Sequence, residues 1–289
     1  MRSEKEMFDL ILKTAREDDR VRAVILNGSR ANPHARRDFF QDYDVIYVVT
    51  GLASFKKEPD WIKCFGDIMI RQLPDDMDDP PAGEDDSYAY LIQFMDGNRL
   101  DLTLYPLSRM GELGKDSLSI LLLDKDGDLP LFAPAGESGY LPQAPTAKQF
   151  ADCCNEFWWV CPYVAKGLWR HEIVYARSML DEVVRAQLMK MLTWYIGLQT
   201  DFQVNPGKFG KYFEQYLPGE MWKQLLETYA PASYERTWQA LFTMGSLFRE
   251  AARSVAAKFG FDYPLGEDTR VTAHLEHVRS LPANAAEMY

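Results

Sequence analysis

The chain has 289 residues, 47% of them hydrophobic and 26% charged, which excludes a disordered chain and leaves room for one large or two ordinary globular domains. Its formal charge of −11, from 43 acidic against 32 basic residues, argues against a surface that wraps nucleic acid and suits a cationic small-molecule substrate. No apolar run approaches the ~20 residues of a membrane helix, and the amphipathic N-terminus lacks the apolar core of a signal peptide. The four cysteines form neither a CxxC pattern nor a disulfide framework, so the expected home is a reducing cytoplasm, away from membranes, with the thiols as small core residues.

In chain order, "SEKE" opens a helix with a capping box of Ser3 and Glu6, and Phe8, Ile11 and Leu12 give it an apolar stripe. Strands are predicted at 21–27, 44–50, 68–73, 88–94, 99–106 and 119–124, with the turn "DGN" at 96–98 joining the fourth and fifth. The acidic stretch 74–86, rich in Pro, Gly and like charges, reads as a solvated loop, and the Gly- and Pro-rich stretch 125–145 reads as a linker. Thr146 and Gln149 then form a second capping box at the start of a long helix reaching about Trp169. Helical stretches follow at about 171–200, 218–229 and 232–259, interrupted by "NPGKFGKYF", and the tail after Pro264 shows no periodicity. The expected fold class is therefore α+β. A mixed sheet flanked by helices occupies 1–140, and an α-helical bundle occupies 146–289.

The chemistry concentrates in "NGSRANPHARRDFFQDYDVIYVVT" (27–50). Asp42 and Asp44 are one residue apart in a strand, so they project from one face with Tyr43 turned away. Two such carboxylates need a compensating cation, and hard oxygen donors at this density favour Mg²⁺. Asp101 interrupts a strand whose Leu100, Leu102 and Leu104 face the other way; if that strand lies beside 44–50, three carboxylates converge. Upstream, Gly28 allows close backbone approach, and Ser29 offers a hydroxyl and an amide to phosphate oxygens at a helix N-terminus.

A Gly-Ser pair, a D-x-D and a later Asp in this order resemble the nucleotidyltransferase superfamily related to DNA polymerase β. "MRSEKEMFDLIL", "DGNRLDLTLYP", "LLLDKDG", "FADCCNEFWWVCPYVAKGLWRHE" and "LFTMGSLFREAA" narrow this to a resemblance to the aminoglycoside 6-nucleotidyltransferases, the streptomycin adenylyltransferases, from residue 1 to about 260. The resemblance implies AMP transfer from ATP to the 6-hydroxyl of streptomycin's streptidine ring, with release of pyrophosphate and antibiotic resistance. It implies that Asp42, Asp44 and Asp101 are catalytic and hold Mg²⁺, with two ions expected, and that Asp101 ligates the metal or helps deprotonate the attacking hydroxyl. Gly28, Ser29 and Arg30 would cradle phosphates, joined by Lys166 from the helical half. Residues 1–140 would then be the catalytic domain and 146–289 the substrate-binding one.

On the long helix, Glu156 lies ten residues before Lys166, so the two can share a face, and Glu156 could receive a cationic group of the drug. Asp181 and Glu182 are further candidates for the drug, and one of them could act as base in place of Asp101. Trp158, Trp159, Tyr163, Trp169, Trp194 and Tyr195 are expected in the core, apart from one or two that could stack on adenine or a guanidinium. His34, His171, His274 and His277 carry no metal signal, since the pair three residues apart lacks a third ligand. Cys153 and Cys154 point to different sides of a helix and read as packing residues. Competing readings keep the catalytic core but change the acceptor to a protein, an RNA or another small molecule, or replace catalysis with a nucleotide-binding partner role. The acidic charge disfavours RNA, and the complete carboxylate triad disfavours the last.

Overall fold

In the computed structural model, which describes residues 1–77 and 87–289, the capping box at Ser3 is formed. The Ser3 hydroxyl accepts from the Glu6 amide and the Glu6 carboxylate accepts from the Ser3 amide, so helix α1 (Glu4–Glu17) starts with two of its unpaired donors satisfied. Its fully buried residues are Met7, Ile11 and Ala15; Ile11 belongs to the predicted stripe, and the predicted Phe8 and Leu12 pack partly buried against the same core.

Six strands follow: β1 (Val21–Asn27), β2 (Tyr43–Val49), β3 (Ile68–Gln72), β4 (Tyr88–Phe94), β5 (Arg99–Pro106) and β6 (Ser119–Asp124). They form one mixed sheet in the order β3-β4-β5-β2-β1-β6, in which β2 and β5 run parallel. Parallel neighbours need a long crossover, and here it carries α3 (Leu52–Lys56), β3 and β4. The alternation predicted for β5 holds: Leu100, Leu102 and Leu104 are fully buried, and Asp101 and Thr103 turn to the opposite face. Each buried leucine of that row contributes about 1.5–3 kcal/mol. The leucine row packs with Tyr43, Val45, Tyr47 and Val49 beneath α1. A smaller cluster of Ala23, Ile25 and Val48 covers the other face.

The acidic stretch 74–86, expected as a solvated loop, falls over 78–86 outside the described residues. Its start is a single turn, Pro74–Asp76, whose Asp75 accepts from the Ala89 amide and Asp76 from the Tyr88 hydroxyl. Of the stretch 125–145, expected as linker, residues 125–140 belong to the first of two compact units, 1–140 and 141–289. Leu129 and Phe132 pack against the sheet, and Glu137 accepts from the Asn32 side chain.

The second unit is helical: α4 (Ala147–Trp169), α5 (Ile173–Ser178), a π-helical turn (Met179–Val184), α6 (Arg185–Gln199), α7 (Phe213–Tyr216), α8 (Gly219–Glu227), α9 (Tyr234–Phe259) and α10 (Leu265–Ser280). The Thr146–Gln149 capping box opens α4, and Cys153, Cys154 and Cys161 are buried along it, whereas Cys64 in the first unit is exposed. The expectation of an aperiodic tail after Pro264 is corrected by α10. That helix is fixed by a polar anchor: Asp268, 1% exposed, accepts from Arg249, Tyr263 and Thr272, and only Leu275 and Val278 add buried apolar contact. No helix among the described residues is long and apolar enough to cross a membrane.

Candidate active site

The face of the sheet opposite α1 carries three polar residues at one level on neighbouring strands. Asn27 of β1 is the partner of Asp44 on β2, and Asp44 is the partner of Asp101 on β5. Strand alternation alone puts all three on the same side. Asp42 enters just before β2, and Arg99 sits two residues before Asp101. The guanidinium of Arg99 donates through Nε and Nη2 to the two oxygens of Asp101, each at 2.8 Å, and its Nε lies 3.6 Å from Asp42 Oδ2.

Asp44 is the electrostatically strained member. Burial, then the charges of Asp101 and Asp42, push its carboxyl up to about 6, against a smaller opposing pull from Arg99 and Arg30. Among the described residues no donor reaches the Asp44 carboxylate, whereas the Asp101 carboxylate takes both donors of the Arg99 fork.

Gly28 explains why the glycine is required. Its backbone is left-handed, at φ +69°, and a β-carbon there would lie 2.3 Å from Asp44 Oδ2. Its amide donates to Leu118 O, which ties the turn to β6. The turn continues into the four-residue helix α2 (Gly28–Ala31), so Ser29 stands in a first helical turn as expected. Arg30 is positioned otherwise than expected. Its guanidinium donates to the carbonyls of Asp42 and Gln41, pairs with Glu4 at 3.4 Å and stacks on the Tyr43 ring, so it clamps the approach to β2 instead of facing a ligand.

A cavity of about 300 Å³ opens on this face, lined by Asn27, Gly28, Asp44, Asp101, Asp116 and Tyr140 among others. The Tyr140 hydroxyl donates to the Asp116 carboxylate at 2.9 Å; burial, then that neighbour and the Asp44 charge, push the phenol up to about 12. Asn27, Asp116 and Tyr140 are additions that the sequence reading missed. Asn27 is level with Asp44 only in the end-to-end register that 21–27 and 44–50 adopt here, which the sequence alone did not fix. Asp116 precedes β6 in a loop and Tyr140 lies inside the Gly- and Pro-rich stretch, neither with a periodic signal to place it.

The donor set suits a hard divalent cation: three acceptor-only carboxylates, one of them carrying strained charge beside a glycine that leaves room at its oxygen. Among the described residues, no three Asp, Glu, His or Cys side chains are gathered around one ion position.

The sequence matches the streptomycin adenylyltransferase family over residues 1–278. It is 40% identical to the aminoglycoside 6-adenylyltransferase of Bacillus subtilis across 96% of this chain and 98% of that one. It is likewise 40% identical to the enzyme of the same name from Campylobacter jejuni, over 93% of each chain. The chain belongs to the streptomycin adenylyltransferase family. As a family member it is a nucleotidyltransferase. A crystal structure of an aminoglycoside 6-adenyltransferase from Bacillus subtilis is similar at 37% identity and a TM-score of 0.49, covering 97% of this chain and all of that one.

The helical unit of this streptomycin adenylyltransferase family member holds the remaining candidates. Lys166 lies on α4 with its ammonium 4.8 Å above the Tyr163 ring. It lines a cavity of about 390 Å³ with Tyr163, Trp169, Arg170 and His274. Glu156 is exposed on the same helix. Asp181 sits on the π-helical turn between Arg177 and Arg185, each at 2.8 Å, so two guanidinium groups already neutralise it. Glu182 beside it is exposed. Trp158, Trp194 and Tyr195 are core residues as expected, whereas Trp159 is 63% exposed. His274 and His277 contact Tyr289 and Met288 of the C-terminal segment.

Proposed function

We propose that this protein transfers AMP from ATP to the 6-hydroxyl of the streptidine ring of streptomycin-like aminoglycosides, releasing pyrophosphate and so inactivating the drug. The observation that carries the reading is the level row Asn27–Asp44–Asp101 beside Gly28, in a chain of this family. Asp42, Asp44 and Asp101 would hold Mg²⁺, as two ions. Bound there, Mg²⁺ would neutralise charge on the triphosphate and polarise the α-phosphorus.

The chain's own residues do the rest. Ser29 offers its amide and hydroxyl to the β- and γ-phosphates at the start of α2, and Gly28, whose own amide is held by Leu118 O, lets the backbone come close to them. Arg30 keeps Asp42 in place by holding its carbonyl. Asp101, level with Asp44, is proposed to ligate the metal or to help take the proton from the attacking hydroxyl, with Asp181 or Glu182 as the alternative base. In-line displacement needs little covalent chemistry from protein, so positioning and charge carry most of the rate.

From the helical unit, Lys166 is proposed to pair with the triphosphate. Glu156 and Glu182 are proposed to receive the drug's guanidinium and ammonium groups. Asp181, shared by two arginines, joins them only if one arginine is exchanged for the drug's cation. The acidic surplus of the chain draws a polycationic acceptor toward it.

The test is product analysis. Incubation with ATP, Mg²⁺ and streptomycin should give one adenylylated drug per pyrophosphate, with the new phosphodiester at position 6 by NMR. Modification of another ring position, or none across a panel of streptidine and 2-deoxystreptamine drugs, would overturn the assignment.

A further inference from the structure

Arg99 is the residue of the carboxylate patch for which the reaction above has no role. It shares the outward face of β5 with Asp101, and its fork engages both oxygens of that carboxylate. The same Nε is 3.6 Å from Asp42 Oδ2, so one guanidinium bridges the two outer carboxylates. The ion pair stands at the rim: the Arg99 side chain is 42% exposed and that of Asp101 is 20% exposed. A parallel fork takes one lone pair on each oxygen of a carboxylate, and a cation that binds the same carboxylate side-on needs those pairs. An arginine in that position and a divalent ion therefore compete for the same oxygens. An ion pair this exposed is also weak enough to be exchanged.

We propose that Arg99 is a positioning residue that a divalent cation displaces. It holds Asp42 and Asp101 together on the patch while no cation is bound, and it releases both carboxylates when one enters. Arg99 thereby sets the concentration at which the site fills, because part of every binding event goes into breaking its fork. The inference rests on the metal-dependent reading of the patch given above.

The experiment uses the full chain and Mn²⁺ as the probe, without nucleotide. Binding is read by calorimetry and by the paramagnetic resonance signal of free Mn²⁺, for wild type, Arg99→Gln, Arg99→Lys and Asp44→Asn. Arg99→Gln should bind Mn²⁺ about threefold to tenfold more tightly, the scale of one exposed charged fork, with Arg99→Lys in between. In chelator, Arg99→Gln should melt below wild type, and saturating Mn²⁺ should close that gap. An arginine with a merely structural role would lower the melting temperature equally with and without Mn²⁺. Equal or weaker Mn²⁺ binding by Arg99→Gln, alongside binding that Asp44→Asn abolishes, would sink the Arg99 inference alone. Absence of Mn²⁺ binding to wild type, or equal binding by Asp44→Asn, would remove the metal-dependent reading and the inference with it.

Discussion

Asp44 and Asp101 are direct partners across the parallel pairing of β2 with β5, although 57 positions separate them in the chain. Both point away from the leucine core, and the pairing brings two like charges to one level of the sheet. Asp44 responds as a partly buried carboxylate must, with its proton affinity raised.

That response predicts a pH signature in chelator. The folded-state value of Asp44 lies above the usual 3.8, at about 6, so ionising it opposes folding. The penalty is absent below about pH 3.8, grows through the window up to about 6 and is complete above it. Asp44→Asn should therefore be more stable than wild type at pH 7.5, by about 1–3 kcal/mol, with the difference vanishing at pH 4. Denaturant titrations in EDTA at the two pH values check it; a difference independent of pH would contradict the electrostatic account.

Gly28→Ala should abolish catalysis through geometry. The new methyl would sit 2.3 Å from Asp44 Oδ2 on a left-handed backbone, so the turn or the carboxylate must move. Turnover should fall about 100-fold or more, with a stability loss of about 1 kcal/mol. Gly51→Ala is the control, because a β-carbon there meets nothing within 4 Å and its φ is −168°. Steady-state kinetics and thermal melts on both variants decide the matter.

Much of this is legible in the sequence. The alternation in "RLDLTLYP" separated Asp101 from its leucines, and the two capping boxes fixed the starts of α1 and α4. The pairing of β2 with β5 was legible only as a condition, since register between strands joined by a long crossover is set by packing and not by local sequence. Arg99 could be placed on the face of Asp101 by the period of two, but its reach to Asp42 depends on that register. Helix α10 escaped because it is anchored by the buried Asp268 network, and a polar anchor leaves no apolar period to detect.

The same network predicts the stability of the helical unit. Asp268→Ala leaves the guanidinium of Arg249 without its carboxylate, and the Tyr263 and Thr272 hydroxyls lose their partner as well. The cost should be about 3–5 kcal/mol, read by denaturant unfolding, with turnover per folded molecule unchanged.

Lys166 is tested by a split between substrates. If its ammonium serves the triphosphate, Lys166→Ala should raise KM for ATP about tenfold and leave KM for the aminoglycoside unchanged, the scale of one charge-assisted contact. Lys166→Arg should recover part of the loss. An effect confined to the aminoglycoside would move Lys166 to the acceptor's side.

The central claim is that the patch of Asp42, Asp44 and Asp101 performs AMP transfer to an aminoglycoside. The most direct measurement is pyrophosphate release from ATP and Mg²⁺ with streptomycin, comparing wild type with Asp44→Ala and Asp101→Asn at matched folded fractions. The account predicts streptomycin-dependent release by wild type and a fall of about 1,000-fold or more in both variants, the scale of losing a metal ligand or an acid–base group. Release that persists in either variant would contradict it.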